Sequence, residues 1–349
     1  MNQRSDKPKI LVTGGCGYIG AHTLADLMEH EFPVISTDNL SRGTTRYLDG
    51  LKSITGKNTK NYVIDLCEYE RTREIFAGNR DIRGIIHFAA FKTVPESVRN
   101  PLLYFRNNLI SVINLLRCVE EFHIPYFVFS SSCSVYGNPP SLPVTEDTPL
   151  SEPESPYART KQMGEKIILD FSRAFPHTTF ISLRYFNPVG AHPSSLIGEY
   201  AVENPENLVP IITQTAIGKR DKLTVYGNDY NTRDGTCIRD YIHVMDIAHA
   251  HTLAMQYLLD GKNHSPYEVF NLGTGNGVTV LEAIKAFEKV SGVQLNYEMG
   301  PRRKGDVEAI YANNTLAKQR LGWTPRYTLD DMMLTAWKWE LRLAGKLRD

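Results

Sequence analysis

The first half of the chain alternates short apolar runs with longer amphipathic stretches. The apolar runs are rich in β-branched residues and lie at 9–13, 33–37, 62–64, 84–88, 126–130 and 179–183. Helical periodicity follows at 18–30, 102–122 and 156–175. Continuous β-branched runs that alternate with helices are typical of a parallel sheet covered on both faces. The pattern therefore predicts an α/β fold with a Rossmann-type, doubly wound parallel sheet.

After about residue 188 the rhythm becomes irregular, and Pro, Asn and Gly become more frequent. Further elements are predicted there, at 208–219, 245–259, 268–271, 280–291 and 329–343. This pattern predicts a nucleotide-binding domain at 1–188 and a smaller mixed α/β substrate domain at 189–349. Part of about 237–268 is a candidate for packing back onto the first domain.

Composition narrows the function classes. The 349 residues include 39 Lys plus Arg and 39 Asp plus Glu, so the formal net charge is zero and there is no broad positive field for nucleic acid. No segment approaches the ~18 apolar residues of a membrane span, and the first residues are polar, so a cytoplasmic protein is expected. Five scattered cysteines without CxxC spacing, and His249 and His251 without a supporting cluster, predict no metal site.

A glycine cluster follows the first predicted strand and opens the first predicted helix. Residues 13–20 read TGGCGYIG, with Gly14 and Gly17 in the turn. Such a turn brings backbone amides to a pyrophosphate at a helix N-terminus. Asp38 ends the second strand 21 residues after Gly17, where a carboxylate can accept a ribose 2′-hydroxyl. NAD is therefore predicted, while nearby Arg42 leaves NADP open.

A Ser, Tyr and Lys constellation follows the fifth predicted strand. Ser132 lies at the strand end, and Tyr157 and Lys161 are four residues apart on one helix face. A tyrosine base near pH 7 needs its pKa lowered by about 3 units, roughly 4 kcal/mol. One nearby cation supplies about 1–3 units, so Lys161 needs help from the positive nicotinamide of oxidised NAD. Ser132 can relay the proton.

With these motifs the chain resembles the extended short-chain dehydrogenase/reductase family, from about residue 9 to 339. Specific further motifs are HFAAFK at 87–92, FSSSCSVYG at 129–137, LRYFNPVGAH at 183–192, GNDYNTRDGTCIRDYIHVMDIA at 227–248, NLGTG at 271–275 and RRKGDVEAIYA at 302–312. The resemblance implies reversible C4 epimerisation of UDP-galactose and UDP-glucose through a 4-keto intermediate, with tightly bound NAD. It also implies a role in galactose metabolism and a homodimer built from helices of the nucleotide domain.

The resemblance also implies roles for individual residues. Ser132, Tyr157 and Lys161 would be catalytic. The cofactor would be bound by Gly14, Gly17, Tyr18, Ile19, Asp38, Asn39, Ser41, Asp65, Leu66, Phe88, Ala89, Lys92, Asn107, Tyr157, Lys161 and Tyr185. The UDP-sugar would be bound by Lys92, Ser132, Tyr185, Phe186, Asn187, Asn207, Leu208, Thr224, Val225, Tyr226, Arg239, Arg303, Asp306 and Ile310.

Alternatives stay open at this stage. Ile310 is at the position that resembles the family's sugar gate and is intermediate in size, so acceptance of UDP-N-acetylhexosamines stays open. C4 epimerisation of UDP-pentoses or UDP-uronates is a further alternative. A dehydratase or decarboxylase of the same fold needs an acid after the catalytic serine, where this chain has Cys133 and Ser134. An idle NAD-binding sensor is the alternative from another class, and the retained Ser132, Tyr157 and Lys161 argue against it.

Overall fold

The centre of the fold is a parallel sheet, seen in a computed structural model that describes residues 7–200, 205–303 and 307–347. In chain order the strands are β1 Lys9–Thr13, β2 Val34–Thr37, β3 Asn61–Tyr62, β4 Ile82–His87, β5 Tyr126–Ser132, β6 Thr179–Tyr185, β7 Asn187–Val189, β8 Leu223–Tyr226, β9 Ile238–Arg239, β10 Tyr241–His243, β11 Tyr267–Leu272, β12 Val278–Thr279, β13 Tyr297–Gly300 and β14 Ala309–Ile310. The helices are α1 Tyr18–Glu29, α2 Arg46–Thr55, α3 Tyr69–Ala77, α4 Val94–Arg99, α5 Pro101–Phe122, α6 Pro156–Ala174, α7 Leu208–Ala216, α8 Val244–Leu259, α9 Val280–Ser291, α10 Thr315–Leu321 and α11 Leu329–Leu343.

Seven strands form the main sheet in the order β11-β6-β5-β4-β1-β2-β3. Every pairing in it is parallel. The strand order reverses between β1 and β4, so the connections leave in opposite directions and a crevice opens at the carboxyl ends of these strands. The predicted Rossmann-type α/β fold is confirmed.

Apolar side chains cover both faces of this sheet. On one face, α1 and α8 contribute Leu24 and Ile247 to a cluster that also buries Trp323. On the other face, α5 and α6 contribute Leu115 and Ile168. Burial on both faces explains why the strands read as continuous apolar runs instead of alternating ones.

The smaller lobe has its own apolar cluster, built by α7, α9 and α11 around β8. Its short sheets are β8 with β13, β7 with β10, and β9 between β12 and β14. Helix α8 packs on α1, and β11 extends the main sheet next to β6, so both belong to the layers of the first lobe. The division of the chain at residue 188 remains a prediction.

Local capping signals define several of these helices. The Ser155 side chain accepts a hydrogen bond from the Ala158 amide and Pro156 takes the first position of α6. Capping boxes begin α9 and α11. In the described residues, none of the helices combines the length and apolarity that crossing a membrane requires.

Candidate active site

The glycine turn lies between β1 and α1 at the crevice. Gly14 has φ of +70°, and a Cβ added there would lie 2.8 Å from the backbone nitrogen of Ala89. A Cβ at Gly20 would lie 2.2 Å from the Gly14 carbonyl oxygen. The bare backbone therefore lets the turn pass directly between β4 and the first turn of α1. A diphosphate can approach its amides closely.

Asp38 fixes the adjacent end of β2 to this turn. Its Oδ2 accepts a hydrogen bond from the Cys16 amide at 3.1 Å, and its Oδ1 accepts one from the Leu40 amide at 2.8 Å. Burial raises the pKa of the Asp38 carboxyl, and the two amides oppose that shift. Arg42, which left NADP open, instead donates to Glu96 at 2.5 Å. This arrangement favours a ribose 2′-hydroxyl over a 2′-phosphate.

The other cofactor residues implied by the resemblance lie at or beside the same sheet edge. Tyr18 and Ile19 begin α1, and Asn39, Ser41, Asp65 and Leu66 follow β2 and β3, whereas Phe88, Ala89 and Lys92 follow β4, Asn107 lies in α5 and Tyr185 ends β6. Local hydrogen bonds shape these segments: Asn39 accepts from the Ser41 amide, and Asp65 accepts from the amide two residues later. Asn107 donates to its neighbour Asn108 at 3.0 Å. Individual contacts to a cofactor remain predictions.

The three catalytic candidates come together between β5 and α6. Ser132 ends β5, while Tyr157 and Lys161 lie one turn apart at the start of α6. The Ser132 side chain forms a hydrogen bond with the Tyr157 hydroxyl. The Lys161 ammonium donates to the Ser130 carbonyl at 2.6 Å, and its nitrogen is 6.0 Å from the centre of the Tyr157 ring. The predicted constellation therefore forms one cluster.

Burial determines the electrostatics of this cluster. It raises the pKa of Tyr157 to about 12, although the hydrogen bond from Ser132 acts in the opposite direction. It also lowers the pKa of Lys161 to about 8, and the charge of Glu165 opposes that shift. Both charged forms are thus disfavoured by loss of water. A cation additional to Lys161 is needed to make Tyr157 a base near neutral pH.

A buried ion pair lies one turn beyond Lys161. Arg184 donates to both carboxylate oxygens of Glu165, at 2.9 and 2.7 Å, and the Ser131 hydroxyl donates to the same carboxylate. Arg184 also donates to the Tyr136 hydroxyl at 3.0 Å, and this hydroxyl donates to Asn271. The network joins α6 to β5, β6 and β11. Sequence reasoning did not find it, although Glu165 lies four residues after Lys161 and Arg184 precedes Tyr185.

The predicted sugar side lies where β6 leads into β7. Phe186 and Ile310 are buried in one small apolar cluster with Val144. The side-chain oxygen of Asn187 is buried and has no hydrogen-bond partner among the described residues. An unpaired buried acceptor is costly, so it suits a ligand that donates a hydrogen bond.

The predicted UDP side lies on the smaller lobe. Asn207 and Leu208 are at the start of α7, Thr224, Val225 and Tyr226 belong to β8, and Arg239 ends β9. The Arg303 guanidinium is 5.7 Å from the Tyr226 ring centre. Val225 is only 1% exposed, so its side chain is occupied in the core and its backbone is what can face a ligand. Asp306 lies outside the described residues.

Glu199 links two residues that sequence reasoning treated separately. Its Oε1 is 3.3 Å from the Lys92 ammonium and accepts from the Asn207 amide group at 3.4 Å. Lys92 follows β4 of the first lobe, and Asn207 directly precedes α7 of the second. Glu199 therefore connects the two walls of the crevice. Its position in an irregular segment gives no periodic signal that could have revealed this.

Comparison with known proteins places the chain. The family model described as GDP-mannose 4,6 dehydratase matches residues 11–335. A UDP-glucose 4-epimerase of Bacillus subtilis is 45% identical over 331 residues, covering 95% of this chain and 96% of that protein. The chain belongs to the UDP-glucose 4-epimerase family, a branch of the short-chain dehydrogenases/reductases.

Solved members of this family share the whole architecture. The UDP-glucose 4-epimerase of Stenotrophomonas maltophila, with bound NAD and formylated UDP-arabinopyranose, is 40% identical with a TM-score of 0.93, covering 97% of this chain and 99% of that chain. The enzyme of Bifidobacterium longum, in complex with NAD+ and UDP, is 41% identical with a TM-score of 0.92, covering 97% and 100%. The family resemblance expected from the motifs is confirmed.

The residues present in this chain suit NAD, the cofactor of those family members. The bare turn at Gly14 and Gly17 is a cradle that a Cβ would fill, because added atoms would meet backbone at 2.8 and 3.2 Å. Asp38 supplies a fixed acceptor for a ribose hydroxyl.

Replacing Gly14 by alanine tests this cradle. Gly14→Ala would strain a left-handed backbone and push a Cβ against Ala89, so we expect the purified protein to lose most of its bound dinucleotide. The measurement is the nucleotide released on denaturation, per mole of protein. Gly78→Ala is the matched control, because its Cβ would meet nothing closer than 3.4 Å. Full dinucleotide content in Gly14→Ala would contradict the assignment.

Proposed function

We propose that the chain is an NAD-dependent UDP-glucose 4-epimerase, an isomerase that interconverts UDP-galactose and UDP-glucose in galactose metabolism. The observation that carries the proposal is the buried cluster of Ser132, Tyr157 and Lys161 at the crevice of the glycine turn. Relatives of the same name are 45% identical over 95% of the chain. The same cluster argues against an idle binding protein, which needs no base.

The chain's own groups move the proton. Tyr157 accepts the proton of the sugar 4-hydroxyl, and Ser132, hydrogen-bonded to Tyr157, orients that hydroxyl and relays its proton. Lys161 contributes positive charge near Tyr157, and its ammonium is held in place by a hydrogen bond to the Ser130 carbonyl. Bound NAD supplies a reversible hydride acceptor and the second positive charge that favours the phenolate. Oxidation at C4 gives a 4-keto sugar, and reduction from the other face gives the epimer.

Epimerisation requires a firm hold on UDP and a loose hold on the sugar, because the keto sugar must turn over between the two half-reactions. Arg239 and Arg303 are proposed to bind the diphosphate, since a guanidinium matches phosphate oxygens with paired donors. Phe186 and Ile310 are proposed to border the sugar with apolar surface, which permits rotation. The UDP-sugar contacts of Asn187 and Asn207 are proposed on the same basis.

The residue after Ser132 distinguishes this chemistry from elimination. Burial raises the pKa of the Cys133 thiol to about 12, so that side chain stays neutral. The Ser134 hydroxyl is buried without a hydrogen-bond partner in the described residues. Neither group can act as the acid that a dehydratase needs, which supports epimerisation. Because Ile310 is smaller than an aromatic gate, UDP-N-acetylhexosamines are alternative substrates to test. UDP-pentoses and UDP-uronates are a separate alternative, since the same C4 chemistry applies to them.

We further propose that the chain acts in the cytoplasm as a homodimer joined through α5 and α6. Apolar side chains are exposed on these helices: Leu102 is 80% exposed, Ile113 is 43% exposed and Met163 is 38% exposed. Leu102 and Ile113 are eleven residues apart and therefore lie on one stripe of α5. An apolar stripe on two adjacent helices suits a four-helix contact between two copies.

Substitution of the proposed base tests the reaction. Tyr157→Phe removes the phenolic oxygen, so we expect at least a roughly 100-fold loss of kcat. Purified protein is incubated with UDP-galactose without added NAD, and UDP-glucose is measured by chromatography. Tyr297→Phe, on the exposed strand β13, serves as the control. Unchanged conversion by Tyr157→Phe would contradict the mechanism. If the wild-type protein does not convert UDP-galactose but does convert other UDP-sugars, the proposed substrate would be wrong and the proposed chemistry would stand.

The Glu165–Arg184 pair tests the electrostatics. The charged and titratable groups around Lys161 are Tyr157 and Glu165 on α6, His87 on β4, Tyr185 on β6, and Arg184 behind Glu165. Glu165→Gln leaves Arg184 uncompensated, so the pKa values of Tyr157 and Lys161 fall. Arg184→Met leaves Glu165 uncompensated, so both pKa values rise. We expect the pH profile of kcat to move by about one unit, in opposite directions.

The double variant Glu165→Gln/Arg184→Met is the control, because it removes both charges and should return the profile toward wild type. Each single variant also leaves a buried charge unpaired, which costs about 3–5 kcal/mol of unfolding free energy. If the pH profile of kcat shifts in the same direction in both single variants, or does not shift in either, the ion pair has only a structural role.

The dimer is tested by introducing charge into the α5 stripe. Leu102→Asp with Ile113→Asp buries four carboxylates in a symmetric contact, so we expect a monomer in size-exclusion chromatography with light scattering. Leu343→Asp, also on an exposed helical position, is the control and should stay dimeric. A monomeric wild type, or a dimer unaffected by the double substitution, would rule out this interface.

A further inference from the structure

Three potential metal ligands meet on the sheet face opposite α5 and α6. Asp26 lies in the last turns of α1, His30 follows the end of that helix, and His249 lies on α8. One ligand atom from each can be chosen so that all three lie within 4.8 Å of one another. The glycine turn is at the opposite end of α1, so this cluster, the His/Asp cluster below, is separate from the catalytic group.

The distances suit a tetrahedral ion. The Asp26 Oδ2 atom is 3.3 Å from His249 Nδ1 and 3.4 Å from His30 Nδ1. Ligands that lie about 2.0–2.1 Å from a tetrahedral zinc ion are about 3.3 Å from each other. The two imidazole rings are 5.2 Å apart between centroids and tilted by 36°, so both can face one point. A single ion beside Asp26 Oδ2 therefore needs only small side-chain rotations.

The electrostatics also favour a cation. The Asp26 carboxylate is buried, with its side chain only 3% exposed, and its Oδ2 atom is 3.3 Å from His249 Nδ1. A carboxylate buried in this way is stabilised by a cation next to it. The cluster lies at the carboxyl end of α1, which carries the negative end of the helix dipole. Glu29, whose side chain is 45% exposed, interacts electrostatically with both Asp26 and His30. The opposing charges are Lys7, which donates to the His30 carbonyl, Lys57, which donates to the Met28 carbonyl, and Arg326, which interacts with Glu29.

We propose that Asp26, His30 and His249 bind a divalent transition-metal ion, for which Zn²⁺ is the representative. Two imidazoles and one carboxylate form a ligand set that such ions prefer. His30 Nδ1, now 2.7 Å from the Asp26 carbonyl, would exchange that hydrogen bond for the metal. Water or the Glu29 carboxylate would complete the coordination. Because α1 and α8 pack against each other, the ion would join two helices that cover one face of the sheet.

The sequence gives no sign of this site, because His30 and His249 are 219 residues apart and only the packing of α1 on α8 brings them together. The inference revises the expectation of no metal, which weighed His249 only with His251. His251 is fully buried, and its Nδ1 pairs with the Ile247 carbonyl. The proposed metal site is independent of the proposed enzymatic function, since none of its three ligands belongs to the catalytic group.

Thermal unfolding with and without added Zn²⁺ tests the site. After treatment with a chelator and removal of any affinity tag, we expect saturating Zn²⁺ to raise the Tm by roughly 5 °C. We expect that rise to disappear in His30→Ala and in His249→Asn. The exposed His177→Ala is the matched control and should keep it. His30 lies at an exposed helix end, so its variant should fold even where His249→Asn does not.

Co²⁺ in place of Zn²⁺ gives a second readout, because a tetrahedral nitrogen and oxygen site produces visible absorption that the two variants should lose. Conversion of UDP-galactose is measured in parallel and should persist after chelation, which separates failure of this inference from failure of the proposed function. No Tm shift in the wild type would overturn the proposal. A shift that survives both His30→Ala and His249→Asn would assign the ion to other residues and overturn it equally.

Discussion

Loss of water disfavours both charges that the proposed reaction needs, at Tyr157 and at Lys161, and the hydrogen bonds around these two side chains respond to this constraint. The pKa of Tyr157 rises to about 12, and that of Lys161 falls to about 8, because each is buried. A solvated site would relieve this cost but would also weaken every electrostatic interaction within it. The protein instead surrounds the pair with fixed dipoles, such as the Ser130 carbonyl that holds Lys161.

The Glu165–Arg184 ion pair also affects the charges of Tyr157 and Lys161. A lone Glu165 would stabilise the ammonium of Lys161 but would oppose a phenolate at Tyr157. Arg184 donates a hydrogen bond to each carboxylate oxygen of Glu165 and so offsets its negative charge. The electrostatic effect of Glu165 on Tyr157 is reduced, while the ion pair still holds α6 against β6. The same guanidinium reaches Tyr136, and Tyr136 reaches Asn271 on β11. The outermost strand of the sheet is therefore coupled to the position of α6, the helix that carries Tyr157 and Lys161.

The sequence predicted those parts of the molecule that periodicity and local capping determine. The continuous apolar runs predicted the central strands because those strands are buried on both faces, and Ser155 with Pro156 predicted the start of α6. The third strand was predicted at 62–64 but lies at Asn61–Tyr62, because this edge strand pairs only with β2, and that pairing ends at Tyr62. Helices α2 and α3 were not predicted: they are short, polar and bury few residues.

Contacts between residues that are distant in the sequence could not be predicted for a different reason. Glu199 bridges Lys92 and Asn207, and Asp26 meets His249, through contacts that no local pattern encodes. Such contacts form only once helices from distant parts of the chain pack on one sheet. The crevice then has one wall from each lobe, with Glu199 across it. Arg239 and Ile310, proposed for the diphosphate and for the sugar, are register partners in one small sheet. The proposed firm hold on the nucleotide and the proposed freedom for the sugar therefore depend on side-chain chemistry at neighbouring positions, a guanidinium with paired donors beside an apolar side chain.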